Sequence, residues 1–168
     1  MRRWLPDFLS GVGIASVFLH LAAPAQGADL RVVIVGVGAA GGTLVAGLYD
    51  KPENYELAVR KTAQILVNDP KRIAGVSLRA VAGSQTVVFA DLSPGLYAVI
   101  VVHDENDDGR FNKAILGVPL EPYGISNNPR TLVSPPDFAQ AAVRIGEGDE
   151  TIRITLIAPN AALSGSAR

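Results

Sequence analysis

The chain has 168 residues, of which 48% are hydrophobic and 18% charged, and its formal net charge is −1. That composition excludes a disordered chain, and the lack of basic clusters makes nucleic acid a poor partner. With no cysteine, disulfides, thiol chemistry and cysteine-ligated zinc are excluded too.

Arg2 and Arg3 precede an apolar run from Phe8 to Ala22, which ends in the small residues Ala23-Pro24-Ala25. This is the order of a cleaved secretory signal. The run is shorter than the ~20 residues of a spanning helix. The expected organisation is a signal peptide over 1–25, a β-sandwich domain over 29–158 and a flexible tail over 159–168. The mature protein is then periplasmic or secreted, with no membrane span. It keeps thirteen Lys+Arg against fifteen Asp+Glu, a formal charge of −2, and His103 becomes its only histidine. One histidine excludes a multi-histidine zinc site within a single chain.

Leu30 to Val35 is β-branched and predicts a first strand. Gly36-Val37-Gly38-Ala39-Ala40-Gly41 then spells G-x-G-x-x-G, a dinucleotide fingerprint only if a helix follows. Residues 43–49 alternate like a strand instead, so the glycines read as a turn between strands. Asp50-Lys51-Pro52-Glu53-Asn54 reads as a break. Tyr55 to Val67 is ambiguous between a short helix and an irregular crossover. Period-2 patterns predict strands at 76–80 and 85–92, with Ser93-Pro94-Gly95 as a tight turn. Leu96 to Val102, LYAVIVV, is apolar on both faces, as in a strand covered on both sides. A polar loop over 104–138 follows, then alternating segments at 139–145 and 151–156. About seven short strands with frequent turns predict an all-β, antiparallel β-sandwich with Greek-key connections, Ig-like or transthyretin-like.

Several blocks stand out: Gly47-Leu48-Tyr49-Asp50, Leu92-Ser93-Pro94-Gly95-Leu96-Tyr97-Ala98-Val99, His103-Asp104-Glu105-Asn106 with Gly109, and Tyr123-Gly124-Ile125-Ser126-Asn127-Asn128. Together with the leader they resemble a family of exported bacterial proteins known only as domain of unknown function 2141. The P-G-x-Y-A-V block is also similar to transthyretin-like and carboxypeptidase-regulatory-type sandwiches. The resemblance implies the fold and the exported compartment, and it implies no activity.

Four carboxylates fall within five residues: Asp104, Glu105, Asp107 and Asp108. Asp104-x-Asn106-x-Asp108-Gly109 matches the first half of an EF-hand calcium loop, where alternate oxygen ligands converge and the glycine allows the turn. The expected metal ligands are Asp104, Asn106, Asp108, the Arg110 carbonyl and Asn112, with calcium as the cofactor. The twelfth position is Ile115 rather than Glu, so the bidentate ligand is missing; Glu121 or Asp137 could return to supply it. The competing reading is a solvated turn whose Asx side chains bond their own backbone. His103 beside Asp104 or Ser126 invites a catalytic reading, yet no nucleophile-elbow motif accompanies it, and no residue is assigned a catalytic role. His103, Tyr123, Asn127 and Asn128 form a candidate ligand surface for a small molecule, glycan or protein. Their competing role is to staple the loop to the sandwich. The expected function is an exported, non-enzymatic binding or accessory module, calcium-stabilised through 104–112. A small hydrolase centred on His103 and a carrier of a small apolar ligand are the alternatives.

Overall fold

A computed structural model describes residues 27–39, 41–60, 69–114, 118–130 and 134–159. The expected leader, Ile115 and nearly all of the expected tail lie outside the described residues. Eight strands form two sheets: β1 (Ala28–Val37), β2 (Thr43–Tyr49), β3 (Ala74–Arg79), β4 (Gly83–Leu92), β5 (Gly95–Asp104), β6 (Tyr123–Ile125), β7 (Val143–Ile145) and β8 (Glu150–Thr155). One sheet has the order β4-β1-β8, the other β3-β2-β5-β6, with β7 also paired to β5. The fold is an all-β sandwich. Its pairs are antiparallel except β1 with β8, which run parallel.

The two-residue period places the core. Leu30, Val32 and Ile34 of β1 are fully buried and face Leu44, Leu48, Val99 and Val101 of the second sheet. The other face of that sheet is buried as well. Val45, Ala98, Ile100 and Val102 form a second apolar layer, roofed by Tyr55, Phe111 and Phe138. This explains why LYAVIVV is apolar at every position: β5 is sandwiched between a sheet and a lid.

The lid comes from two helices and the loop after β5. Helix α1 (Pro52–Arg60) begins where the sequence suggested only a break. Pro52 sits at its first position, where a missing N–H is harmless, and Glu53 lies in its first turn. Helix α2 (Phe138–Ala141) occupies the start of the segment expected to be strand. Asp137 caps it in a reciprocal capping box with Gln140, a D-x-x-Q signal that outweighs the alternation there. Only Val143–Ile145 is strand. The glycine motif joins β1 to β2 across the two sheets, and no helix follows it.

Under the lid, Tyr49 and Tyr55 meet edge to face, with centroids 6.3 Å apart. The Tyr49 hydroxyl donates to Asp69 at 3.0 Å. The Tyr55 hydroxyl is buried and has no hydrogen-bond partner among the described residues. An unsatisfied buried hydroxyl is destabilising, so Tyr55→Phe should leave stability unchanged or raise it by up to about 1 kcal/mol. Urea unfolding checks this, and a loss larger than about 1 kcal/mol would show that the hydroxyl has a partner.

Candidate metal centre

β5 fixes the start of the site. Its odd residues face the first sheet and its even residues face the lid, so His103 and Asp104 leave the strand in opposite directions. His103 is fully buried, and its Nε2 hydrogen-bonds the Gly41 carbonyl. A carbonyl only accepts, so Nε2 carries the proton. Among the described residues its Nδ1 has no hydrogen-bond partner, and Glu105 Oε1 is 3.8 Å away. His103 therefore anchors the glycine turn between the sheets.

Asp104 organises the loop. Its Oδ2 accepts from Gly109 N–H at 2.8 Å and its Oδ1 from Asp108 N–H at 3.2 Å. These bonds curl the chain back upon itself. Asp107 and Gly109 take positive φ, 57° and 73°, conformations that Asp tolerates and glycine favours. The four carboxylates of the acidic run do not crowd one point. Asp107 turns away to accept from Thr43 Oγ1 at 2.7 Å and Arg79 at 3.3 Å, and Glu105 turns toward His103.

What converges is Asp104, Asp108 and Glu121, with one carboxylate oxygen from each lying within 4.8 Å of the others. Two oxygens bound to one calcium ion can be at most about 5 Å apart, given bonds of 2.3–2.6 Å. The trio fits inside that limit. Glu121 reaches the site because the loop doubles back as a narrow ladder, with Leu120 N–H on Asn112 O at 2.8 Å and Ala114 N–H on Val118 O at 2.7 Å. Glu121 Oε2 accepts from Asn112 N–H at 2.9 Å, and the Glu105 backbone N–H also acts on the carboxylate, lowering its pKa; among the described residues no donor meets full hydrogen-bond geometry at Oε1. The residue is only 4% exposed. A buried carboxylate held by backbone N–H groups and set beside two more carboxylates is an environment a cation relieves.

Asn106 and Asn112 serve as braces. Their amide N–H groups donate to Asp108 Oδ2 at 3.1 and 2.9 Å. Arg110 contributes its N–H to Asp108 Oδ1 at 2.8 Å. Asp137, the alternative closing ligand, is engaged at the α2 cap. Of the residues expected as metal ligands, the fold brings Asp104 and Asp108 together, and with them Glu121, one of the two residues named as a possible closing ligand. Sequence spacing had no signal for the ladder that chooses between them.

The titration behaviour follows from these surroundings. The Asn112 amide, the Arg110 and Asn106 hydrogen bonds and the Arg110 charge hold the Asp108 carboxyl below the usual carboxylate range. Burial, then the charges of Asp104 and Asp108, push Glu121 above its ordinary 4.5. A raised folded pKa means that Glu121 stabilises the fold below its unfolded pKa and that this contribution is lost as pH rises through the folded value. In the metal-free protein, Glu121 therefore favours folding more at about pH 4.5 than at neutrality. Asp108 acts oppositely and lower, losing its contribution as pH falls through its depressed value. A bound cation needs Glu121 ionised. Any melting gain that an added cation produces through this trio should be full at about pH 7.5 and shrink on acidification through the raised Glu121 value toward about pH 4.5. Paired melting curves across that range check it, and a gain constant with pH would separate Glu121 from the metal.

The Tyr123–Asn128 block is tied to the scaffold at each step. β6 and β7 pair with the same edge of β5, at Ile100–Val102 and Gly95–Tyr97. Ser126 fills the gap between them: its N–H donates to Val99 O at 3.0 Å, its Oγ accepts from Val99 N–H at 2.9 Å, and its hydroxyl donates to Ala141 O. A Cβ on Gly124 would lie 2.5 Å from Ile154 Cγ2, so only glycine allows β6 so close to β8. Asn127 donates to Gln140 O and Ala142 O at 3.2 and 2.8 Å. Asn128 pairs with Arg153 O and Thr155 N–H of β8 at 2.8 and 2.7 Å. Tyr123 packs on Phe111, with centroids 5.6 Å apart. Three of the four residues expected to form a ligand surface are thus engaged in stapling, and the fourth, His103, is buried.

Among the described residues, no helix is long and apolar enough to cross a membrane. A family model described as an uncharacterized protein conserved in bacteria, DUF2141, matches residues 32–153. No curated protein and no solved structure matches the chain.

Proposed function

Since the chain belongs to DUF2141, a family of uncharacterized bacterial proteins, we propose that it is an exported, non-enzymatic β-sandwich module that binds calcium through Asp104, Asp108 and Glu121. The observation that carries this reading is the buried Glu121 carboxylate, with one of its oxygens within 4.8 Å of a carboxylate oxygen from each of Asp104 and Asp108. Calcium prefers hard oxygen ligands and takes six to eight of them, and three carboxylates from two ends of a loop supply the charged part of that shell. The cation would lock a loop that also forms the lid, since Phe111 lies between Asp108 and Glu121 along the chain and Tyr123 follows just after Glu121. Export is supported by the order of charged, apolar and small residues at the N-terminus. A non-enzymatic role is supported by His103, which is sealed from solvent and engaged with backbone.

Two measurements test the proposal. N-terminal sequencing of the exported protein should find a start between Gln26 and Ala28, and a chain still beginning at Met1 would reject export with cleavage. Thermal melts of the mature protein in calcium and in EDTA should differ. An affinity on the order of 10⁻⁴–10⁻³ M, that of extracellular modules, gives a stabilisation of roughly 1.4–2.7 kcal/mol at ten to a hundred times the dissociation constant. Coincident melts would reject the metal.

A further inference from the structure

The edges of the two sheets are guarded unequally. An open strand edge is a template for pairing with another chain, and folds blunt it with short strands, charges, proline or a covering loop. β6 and β7, on the far side of β5, have three residues each. The edge of β8 is covered, because the Asn128 side chain bonds both Arg153 O and Thr155 N–H, as a neighbouring strand would. β3 has six residues and carries Arg79, and the Arg72 guanidinium lies over its Gly75. β4 has ten residues, and from 83 to 90 it holds no charge and no proline. Among the described residues, β1 is its only partner strand.

The hydrogen bonding of β1 fixes which groups of β4 face outward. Leu156 N–H donates to Val35 O, and Val35 is in register with Thr155. The odd-numbered residues of β1 therefore point their backbone groups at β8, and Leu30, Val32 and Ile34 point theirs at β4. Their partners there are Phe89, Val87 and Gln85. Ser84, Thr86, Val88 and Ala90 are left directing N–H and C=O away from the sheet, and all four are exposed.

We propose that β4 is the contact surface of a homodimer, in which two copies of the chain pair this strand antiparallel about a twofold axis at Val87. The strand sets its own register. Its regular part ends at a positive-φ residue on each side, Gly83 at 105° and Asp91 at 57°, so pairing is confined to 84–90. Centring on Val87 sets Ser84 of one copy against Ala90 of the other, and Thr86 against Val88. Every outward-directed residue then bonds, giving about eight hydrogen bonds. A twofold axis brings each strand against itself, so any charge on it would face its own copy. This strand carries none to repel, and none to select a partner of different charge. The Thr86–Val88 pairs are β-branched on both sides, a favoured cross-strand match. Gln85 holds the turn before the strand in place, accepting from Val81 N–H at 2.8 Å and donating to Arg79 O at 2.9 Å. Pairing joins the two three-stranded sheets of the copies into one continuous sheet.

Sedimentation equilibrium of the mature protein over a range of concentrations tests this. The expected result is a monomer–dimer equilibrium with a dissociation constant on the order of 10⁻⁵ M, that of a small interface. Val88→Lys places a guarding charge on the edge and should weaken the dimer about tenfold or more. Thr86→Pro removes an outward N–H and no bond to β1, and it should weaken the dimer as well. Urea midpoints measured at concentrations where the protein is monomeric should stay at the parent value for Val88→Lys. Thr151→Lys, on the covered edge at β8, should leave the dimer intact. A protein that remains monomeric at about 10⁻³ M overturns the proposal. A dimer indifferent to Val88→Lys and Thr86→Pro overturns it too, as does one lost equally with Thr151→Lys. Growth beyond two copies would also contradict it, because an isologous contact closes at the dimer.

Discussion

Glu121→Gln should raise the melting temperature of the metal-free protein and abolish its response to calcium. The two halves have one cause. In the metal-free protein, the buried Glu121 carboxyl is held against Asp104 and Asp108, and among the described residues no donor meets full hydrogen-bond geometry at its Oε1. A glutamine of the same shape keeps an oxygen for Asn112 N–H, removes a buried charge, and brings an N–H group toward two carboxylates. Hydrogen bonds to charged acceptors contribute more than neutral ones, so the expected gain is about 1–2 kcal/mol, or roughly 3–8 °C. The neutral amide is a poor third ligand, so the 1.4–2.7 kcal/mol expected from calcium should vanish. This exchange of stability for function is the mark of a binding residue. A Glu121→Gln protein that melts lower without metal, yet still responds to calcium, would make Glu121 a structural residue only.

Gly42→Ala should be among the most destabilising single changes outside the apolar core. Gly42 has φ +79°, and an added Cβ would run into the Asp104 carbonyl, with Glu105 Cα 2.8 Å away. Both obstacles are backbone, so neither can swing aside. The left-handed conformation alone costs an alanine roughly 1–2 kcal/mol, and forcing β2 from β5 at this point brings the total to about 3–5 kcal/mol. That is a large part of the 5–15 kcal/mol typical of a domain. Gly41→Ala is the internal control: its φ is +82°, yet nothing lies within 4 Å of its Cβ position. It should lose only about 1–2 kcal/mol. Equal losses in the two variants, read from urea unfolding, would remove the clash as the cause. Because Gly42 abuts Asp104, its substitution should also weaken calcium binding, whereas Gly41→Ala should not.

Strands with one clean face were legible in the sequence because alternation is a local signal. Val32 and Ile34 announce the buried face of β1, and Val87 and Phe89 that of β4. The helices were less legible for a physical reason. Helix α1 is short and follows Asp50-Lys51, so Pro52 reads equally as breaker or first helical residue. Helix α2 is a single turn whose only marker is Asp137 with Gln140. The parallel pairing of β1 with β8 has no local signature, since both strands would alternate in the same way in either direction. At the site, Asp104 and Asp108 were legible because their spacing is itself the geometry. Glu121 needed the fold: twelve residues lie between it and Asp108, and the Asn112–Leu120 ladder closes that distance. Asp107, though part of the same acidic run, is drawn off by Thr43 and Arg79, on strands distant in sequence.

The central claim is that one cation sits among Asp104, Asp108 and Glu121. A crystal structure of the mature protein grown in roughly 10 mM calcium, about ten times or more the expected dissociation constant, tests it most directly. The account predicts a single strong peak within about 2.3–2.6 Å of an oxygen from each of the three carboxylates, completed by backbone, water or ligand oxygens. A Glu121 side chain turned away from Asp104 with no peak between them, or calcium held instead at Glu105 or Asp107, would contradict it.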